Sequence, residues 1–483
     1  RFALALLDLG VGPGDVVSLL LPNWWQFNVV HMACVRIGAI TNPLMPIFRE
    51  GQLIFMLGFA ETKVLIAPET YRGFDYRPMV DGMRPELPKL AHAFYIGGVG
   101  DDAFEAHFLA QARETADDAE ARLAGLRPGS NDVIEIIYTS GTTGQPKGVM
   151  HTANTLFCHL YPLNEHLALT GDDVFQMSSP LAHQTGFIWG VLISTMLGTT
   201  VVLQDRWEPV KGAELIERHR VTYTMASTPF LNDLASVAEP GRFDLSSLRY
   251  FIAAGAPIPP ALVERAQAQV GMKVLSGWGM SECALATVCR PSDPPEKIFG
   301  TDGLVLDCNG VKVVDGDGNE APVNTEGLLL VTGAAQFVGY LKRPDLHGTD
   351  ADGWFDTGDL AYMDADGYIR ITGRAKDIII RGGENIPVVE VESCIFRHPA
   401  VEDVAVVGMP DERLGERGCA YVTLNQGHDL TFTQLIAYLD EEKMTKQYLP
   451  ERLEILDAFP RTPSGKIQKF VLRDWAKELA AGG

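Results

Sequence analysis

Up to about residue 375, short apolar runs alternate with helical stretches, and this alternation constrains the fold most. "DVVSLLL", "TKVLIA", "VIEIIYT", "TVVL" and "LRYFIAA" read as strands. "PPALVERAQAQVG" reads as a helix, with Pro at its start and Gly271 at its end. Strands separated by helices pair in parallel through crossovers, so the sheet is largely parallel and covered on both faces, an α/β architecture. Between about 300 and 365 the texture becomes turn-rich β, with "DGDGNE", "NTEG" and "DADG" between short strands. The last hundred or so residues read as a separate α+β unit. Helix "VVEVESCIFRHP" is followed by strands "VEDVAVVGM" and "CAYVTL", then by helix "TFTQLIAYLDEEKM" with Thr431 and Gln434 at capping-box spacing. A chain of 483 residues exceeds one core.

The totals exclude several function classes. Sixty-two acidic residues against 40 basic ones give a formal net charge of -22, which disfavours nucleic acid or an anionic membrane as partner. Anionic ligands would need local cations set against that field. The seven cysteines are scattered and form no CxxC pair, so neither a disulfide framework nor a zinc site is expected, and a cytoplasmic, reducing compartment fits. "RFALALLDLGVGPGD" reads as an amphipathic helix ending at Gly10 with no N-cap before it, so the natural N-terminus is expected upstream. From Gln184 to Gln204 no charge occurs, the length of a membrane span. Gly186, Gly190 and Gly198 interrupt it, so a buried helix followed by a buried strand is expected instead.

The strand "VIEIIYT" runs abruptly into "SGTTGQPKGV". A glycine-rich loop after a strand cradles phosphate when backbone N–H groups converge and a lysine adds charge. Gly141, Gly144 and Gly148 allow close backbone approach, Ser140, Thr142 and Thr143 add hydroxyl donors, and Lys147 can reach a phosphate oxygen. It is not a Walker A loop, because Gln145 and Pro146 separate Gly144 from Lys147.

"YTSGTTGQPKGV" resembles the signature loop of the adenylate-forming superfamily of acyl-CoA synthetases, luciferases and peptide-synthetase adenylation domains. Six further blocks resemble that family in the same order: "PLAHQTGF", "AAGAP", "GWGMSE", "WFDTGD", "GRAKDIIIRGGENI" and "PRTPSGKIQK". The resemblance implies a large N-terminal domain of parallel and mixed sheets with flanking helices and a small β-barrel-like part, over 1–375. It also implies a small mobile C-terminal α+β domain over 376–483.

By resemblance, Thr139 to Gly144 and Lys147 surround the β- and γ-phosphates of ATP. Gly255, Ala256 and Pro257 run along the adenine, and Trp278, where the family usually has Tyr or Phe, stacks on it. Gly279 and Met280 complete that wall, Ser281 contacts the α-phosphate, and Glu282 is the expected Mg²⁺ ligand. Asp359 binds the ribose, with Arg374 as a second ribose or phosphate contact. Lys376 is the hinge and Lys466 the lysine that enters the site from the small domain. Lys469 stands where an Arg is common, and Pro387 comes one place early, which puts in question how the next helix begins. Gly382 and Gly383 line the channel for coenzyme A. Lys466, Glu282, His183 and Lys147 are thus the catalytic candidates.

The absence of any carboxylate between Asp173 and Asp205 argues against an amino-acid substrate, whose ammonium would lack a partner in the block "PLAHQTGF". His183 is expected at the mouth of the acyl pocket, with Gly186, Phe187 and Gly255, and Ile188, Trp189, Met225 and Leu285 as further apolar walls. "PNWWQF" and "NPLMPIFRE" look similar to bacterial short- and medium-chain acyl-CoA synthetases and cyclohexanecarboxylate-CoA ligases. The expected activity is ATP-dependent ligation of a short- or medium-chain fatty or alicyclic carboxylic acid to CoA through an acyl-adenylate. Loading of a carrier protein, or an inactive nucleotide-binding homologue, stays open, as does monomer against homodimer.

Overall fold

The five strand runs read before residue 375 lie in two seven-stranded sheets, and each sheet is parallel in one part and antiparallel at one edge. The computed structural model describes residues 1–139, 146–239, 241–255, 258–381, 384–462 and 465–481. In the first sheet the order is Gly339–Tyr340, Lys147–Thr152, Val133–Thr139, Ile40–Leu44, Val16–Leu20, Val64–Pro68, His92–Ile96. From Val133–Thr139 onward all pairs are parallel, while Lys147–Thr152 returns antiparallel beside Val133–Thr139. In the second the order is Thr200–Leu203, Val174–Met177, Tyr223–Ala226, Tyr250–Ala253, Lys273–Met280, Ala284–Val288, Leu304–Val305. Its first five strands are parallel and its last two antiparallel. The buried layer between them takes in Phe27, Phe175, Phe187, Trp189, Tyr223 and Phe251.

The charge-free stretch is a short helix Gln184–Phe187, a π-helical turn Ile188–Ile193 and a helix Ser194–Leu197, ended by Gly198 at φ 71° before the strand Thr200–Leu203. No helix among the described residues is long and apolar enough to cross a membrane. Its glycines serve close packing: a Cβ at Gly186 would stand 2.0 Å from the carbonyl oxygen of Pro180, and one at Gly190 2.5 Å from Leu181.

The turn-rich region forms a four-stranded antiparallel sheet in the order Asn309–Val314, Gly327–Gly333, Phe355–Met363, Ile369–Arg374. This sheet is the barrel-like part, and its hydrogen-bonded path among the described residues runs through these four strands without closing. Beyond it, a mixed sheet is built on the long hairpin Val401–Asp411 and Gly415–Leu424, which Arg452–Ile455 joins in parallel. The helices Val388–Phe396, Phe432–Glu441 and Lys469–Ala481 accompany it. Pro387 is the residue before the first of these helices, so its early position fixes the start rather than disturbing it. Thr431 and Gln434 form the expected capping box.

Candidate active site

Parallel strands present their carboxyl ends at one edge of a sheet, where chain crossovers leave a crevice. Here Thr139, Met225, Ala254 and Met280, at or next to the ends of their strands, reach the same cavity of about 1720 Å³. The four-stranded sheet contributes Asp359 and Arg374 to its wall, and the C-terminal unit contributes Lys466.

Asp359 is buried between two donors. The indole N–H of Trp278 reaches its Oδ2 at 2.8 Å, and Nε of Arg374 lies 3.0 Å from Oδ1. Strand register explains the second contact, since Asp359 and Arg374 are directly paired across antiparallel strands. Trp278 is only 7% exposed and packs among Ile137, Val149, Cys283 and Ala286, so little of the ring is left to face a ligand. Glu282 occupies a buried turn between Lys273–Met280 and Ala284–Val288, where its Oε1 accepts from the Tyr340 hydroxyl at 2.8 Å. Lys147 sits with Nζ 4.7 Å from the centroid of that same Tyr340 ring. Lys147, Tyr340 and Glu282 therefore form one connected wall.

Lys466 enters from the opposite side. A Cβ at Gly255 would stand 3.3 Å from its Cε and 3.6 Å from its Nζ, and Gly255 itself has φ +85°. Neighbouring Gly465, at φ +86°, is seated against Ser227 and Phe230 of the large domain. Burial lowers the Lys466 ammonium to about 8, helped by Arg374 and opposed by Asp359 and Glu282. His183 is half-buried at the cavity wall, and its Nδ1 accepts from the backbone N–H of Thr185 at 3.3 Å. Burial, with a smaller push from Lys466, brings that ring down to about 3, so it is neutral at ordinary pH.

Ile188, Trp189, Met225 and Leu285 line the apolar part of the cavity as expected. Phe187 and Gly186 do not. Phe187 is buried in the core, 4.7 Å from the ring of His31, and Gly186 backs onto Pro180. Ile188 and Trp189, the first two residues of the π-helical turn, reach the cavity, while Phe187 before them does not. Thr139, Gly279, Met280 and Ser281 are on the wall. Ser140, Gly141, Thr142, Thr143, Gly144, Ala256, Pro257, Gly382 and Gly383 lie outside the described residues. Lys376 falls in the 3₁₀ turn Ala375–Asp377, whose Asp377 pairs with Arg473. Lys469 pairs with buried Glu392 at 2.6 Å.

Four residues at or behind the cavity wall escaped sequence reasoning. Trp207 donates to Oδ2 of Asp233 at 2.7 Å on the wall, with no local motif to mark either residue. Gln184 lines the cavity and bonds Glu135 behind it. The signal for Glu135 was present: a lone acid inside an otherwise apolar strand.

The model of the AMP-binding enzyme family matches residues 1–341, and that of its C-terminal domain matches 390–466. The chain belongs to the AMP-binding enzyme family. It is 38% identical over 471 residues to the medium-chain fatty-acid–CoA ligase of Escherichia coli, covering 97% of this chain and 82% of that protein. It is 33% identical over 476 residues to the 3-((3aS,4S,7aS)-7a-methyl-1,5-dioxo-octahydro-1H-inden-4-yl)propanoyl:CoA ligase of Mycobacterium tuberculosis, with 98% and 91% covered. The anthranilate CoA ligase AuaEII in complex with anthranoyl-AMP aligns at a TM-score of 0.89 and 28% identity, over 99% of this chain and 91% of that one. This AMP-binding enzyme thus shares both its large and its small unit with acid-activating relatives.

Proposed function

We propose that this AMP-binding enzyme is an ATP-dependent carboxylate–CoA ligase acting on a medium-chain or alicyclic acid. One observation carries the reading: Lys147 and Lys466 reach one cavity from different units, beside Glu282, Asp359 and Arg374 and next to an apolar recess. The recess walls, Ile188, Trp189, Met225 and Leu285, suit an uncharged acyl group, and the fatty-acid and bicyclic-acid names of its relatives agree. Carrier-protein loading is not favoured by those names.

In the first half-reaction a carboxylate oxygen attacks the α-phosphorus of ATP, and the bond to the bridging oxygen of pyrophosphate breaks. The protein's part is alignment and charge neutralisation. In this reading Lys466 neutralises the carboxylate and α-phosphate, Lys147 and the loop that includes Thr139 hold pyrophosphate, and Asp359 with Arg374 fixes the ribose. Neutral His183 offers Nε2–H to the carboxylate, since its Nδ1 is engaged as an acceptor. Mg²⁺ bound with the triphosphate supplies positive charge and would be held by Glu282. A single buried carboxylate suits a cation that keeps most of its waters. No cluster of three or more His, Cys, Asp or Glu exists among the described residues to cage it otherwise.

In the second half-reaction the CoA thiol sulfur attacks the acyl carbonyl carbon, and AMP leaves. The unit 376–483 turns about Lys376 relative to 1–375, withdrawing Lys466 and bringing in the segment that holds Gly382 and Gly383. The seven cysteines are all free thiols, which suits a cytoplasmic setting. The test is pyrophosphate release across a panel of carboxylic acids, with and without CoA. Acid-dependent release accelerated by CoA is expected; acid-dependent release indifferent to CoA overturns the CoA assignment.

A further inference from the structure

Glu135 is fully buried, yet among the described residues no countercharge faces it. It lies on the strand Val133–Thr139, in register with Thr41 on one neighbour and His151 on the other. Its Oε2 accepts from Nε2 of Gln184 at 3.3 Å. Two buried oxygens are then left without a hydrogen-bond partner, Oε1 of Glu135 and Oε1 of Gln184, on side chains that already touch. Both are acceptors when the carboxyl is ionised, so neither can satisfy the other. One proton on the carboxyl satisfies both.

We propose that Glu135 is a neutral carboxylic acid that closes a two-hydrogen-bond ring with the Gln184 amide, and that this ring positions His183. The Glu135 hydroxyl donates to Gln184 Oε1, and Gln184 Nε2 donates back to Glu135 Oε2. Burial supports the protonated form by pushing the carboxyl up to about 8, opposed only by the Gln184 hydrogen bond. The paired strand carries Lys147 at its far end, beside Tyr340 on the cavity wall, and the histidines on the surrounding elements are His31, His151, His159 and His183. Burial lowers all four, His151 to about 4 and the others to about 3. His31 bonds Thr41, His151 bonds Thr155 and the Ser281 carbonyl, His183 accepts from Thr185, and neither ring nitrogen of His159 has a hydrogen-bond partner among the described residues, so none of these rings is spent on Glu135.

The ring has a mechanical consequence. Gln184 is the first residue of the helix Gln184–Phe187, and His183 caps that helix by accepting from the N–H of Thr185. The strand holding Glu135 ends at Thr139 on the cavity wall. The acid–amide ring therefore ties the strand that leads into the glycine-rich loop to the turn that presents His183. This role rests on His183 belonging to the acyl site; the protonation of Glu135 does not.

Thermal unfolding of wild type, Glu135→Gln and Glu135→Leu between about pH 5 and pH 9.5 tests the proton. A buried acid that keeps its proton up to about 8, while the unfolded chain releases it in the ordinary carboxylate range, costs wild type stability across that window as pH rises. Gln titrates nowhere, and an amide–amide pair can close the same ring. The Tm of Glu135→Gln is expected to gain on wild type steadily from about pH 5 to about pH 8, then run parallel. A constant offset over that range overturns the neutral acid. Pyrophosphate release tests the positioning. Glu135→Gln should keep kcat within about threefold of wild type at pH 7, while Glu135→Leu lowers kcat about tenfold or more with the KM for ATP nearly unchanged. Where Glu135→Leu does not fold, Gln184→Met removes the ring from the other side and is held to the same result. Undiminished kcat in the ring-less variant overturns the positioning role, and the thermal comparison needs no substrate at all.

Discussion

The N–H of Trp278 spans 2.8 Å to Oδ2 of Asp359, a carboxylate whose other oxygen already faces Arg374 at 3.0 Å. Both Asp359 oxygens are thus oriented by the protein's own donors. A Tyr or Phe at this position, as the family resemblance leads one to expect, has no ring N–H to give. Trp278→Phe keeps an aromatic face and removes that donor. A hydrogen bond to a charged group is worth about 1.5–3 kcal/mol. The KM for ATP should therefore rise about tenfold or more, with kcat little changed, in steady-state kinetics. An unchanged KM would mean that the indole serves only by packing.

Lys466 is a tool for one half-reaction. Lys466→Ala should slow adenylate formation by about 10²–10³-fold, the cost of one preorganised charge donor. Thioester formation from supplied acyl-adenylate and CoA should stay within about threefold of wild type. Measuring the two halves separately decides it, and equal loss in both would contradict the assignment.

The same lysine sets an alkaline limit. Its ammonium is lowered to about 8 by burial and by Arg374. The charged form, which neutralises the reacting oxygens, is lost as pH rises through that value. In the acid-saturated reaction, kcat/KM for ATP should be flat from about pH 6.5 to 7.5 and fall about tenfold per unit beyond the break. Lys466→Arg, charged throughout, should remove the break even where its absolute rate is lower.

Met225 ends a strand of the second sheet and lines the apolar recess. Met225→Ala opens that wall without touching a charged group. Each methylene accommodated is worth about 1–3 kcal/mol of discrimination. The preferred acid should lengthen by one or two carbons, or shift toward bulkier rings, with the ratio of kcat/KM between long and short acids rising about tenfold. Competition assays with paired acids give the ratio directly.

Much of this site was legible in the chain because its chemistry sits at punctuation points. Strands end, glycines follow, and the charged residues that matter come within a few positions. Gly271, at φ +83°, closes its helix where the sequence placed it, and Thr431 caps where the spacing required. Three things were not legible, for physical reasons. The edge strand Gly339–Tyr340 pairs with Lys147–Thr152 across almost two hundred residues, and no local pattern encodes such a partner. Phe187 was expected on the acyl wall with Ile188 and Trp189, but an apolar ring suits core and wall alike, and here it packs inward beside His31. The resemblance named Glu282 as a ligand candidate, but its burial was not legible, because Tyr340, which bonds it, lies 58 residues further along the chain.

The contrast between the acidic whole and three cations set into one cavity has a kinetic consequence. The chain carries a formal charge of -22, while Lys147, Arg374 and Lys466 are gathered on the walls of one recess. Repulsion from the exterior reaches about 30 Å at 0.01 M ionic strength but only about 10 Å at 0.1 M. Added salt therefore lowers the long-range barrier to an incoming triphosphate well before it weakens short contacts in a partly desolvated site. Stopped-flow encounter rates for ATP should climb with salt toward physiological strength, the reverse of an enzyme that gathers anions by an attractive surface. Such a protein rejects polyanions in bulk and admits only one small enough to slip inside its own screen.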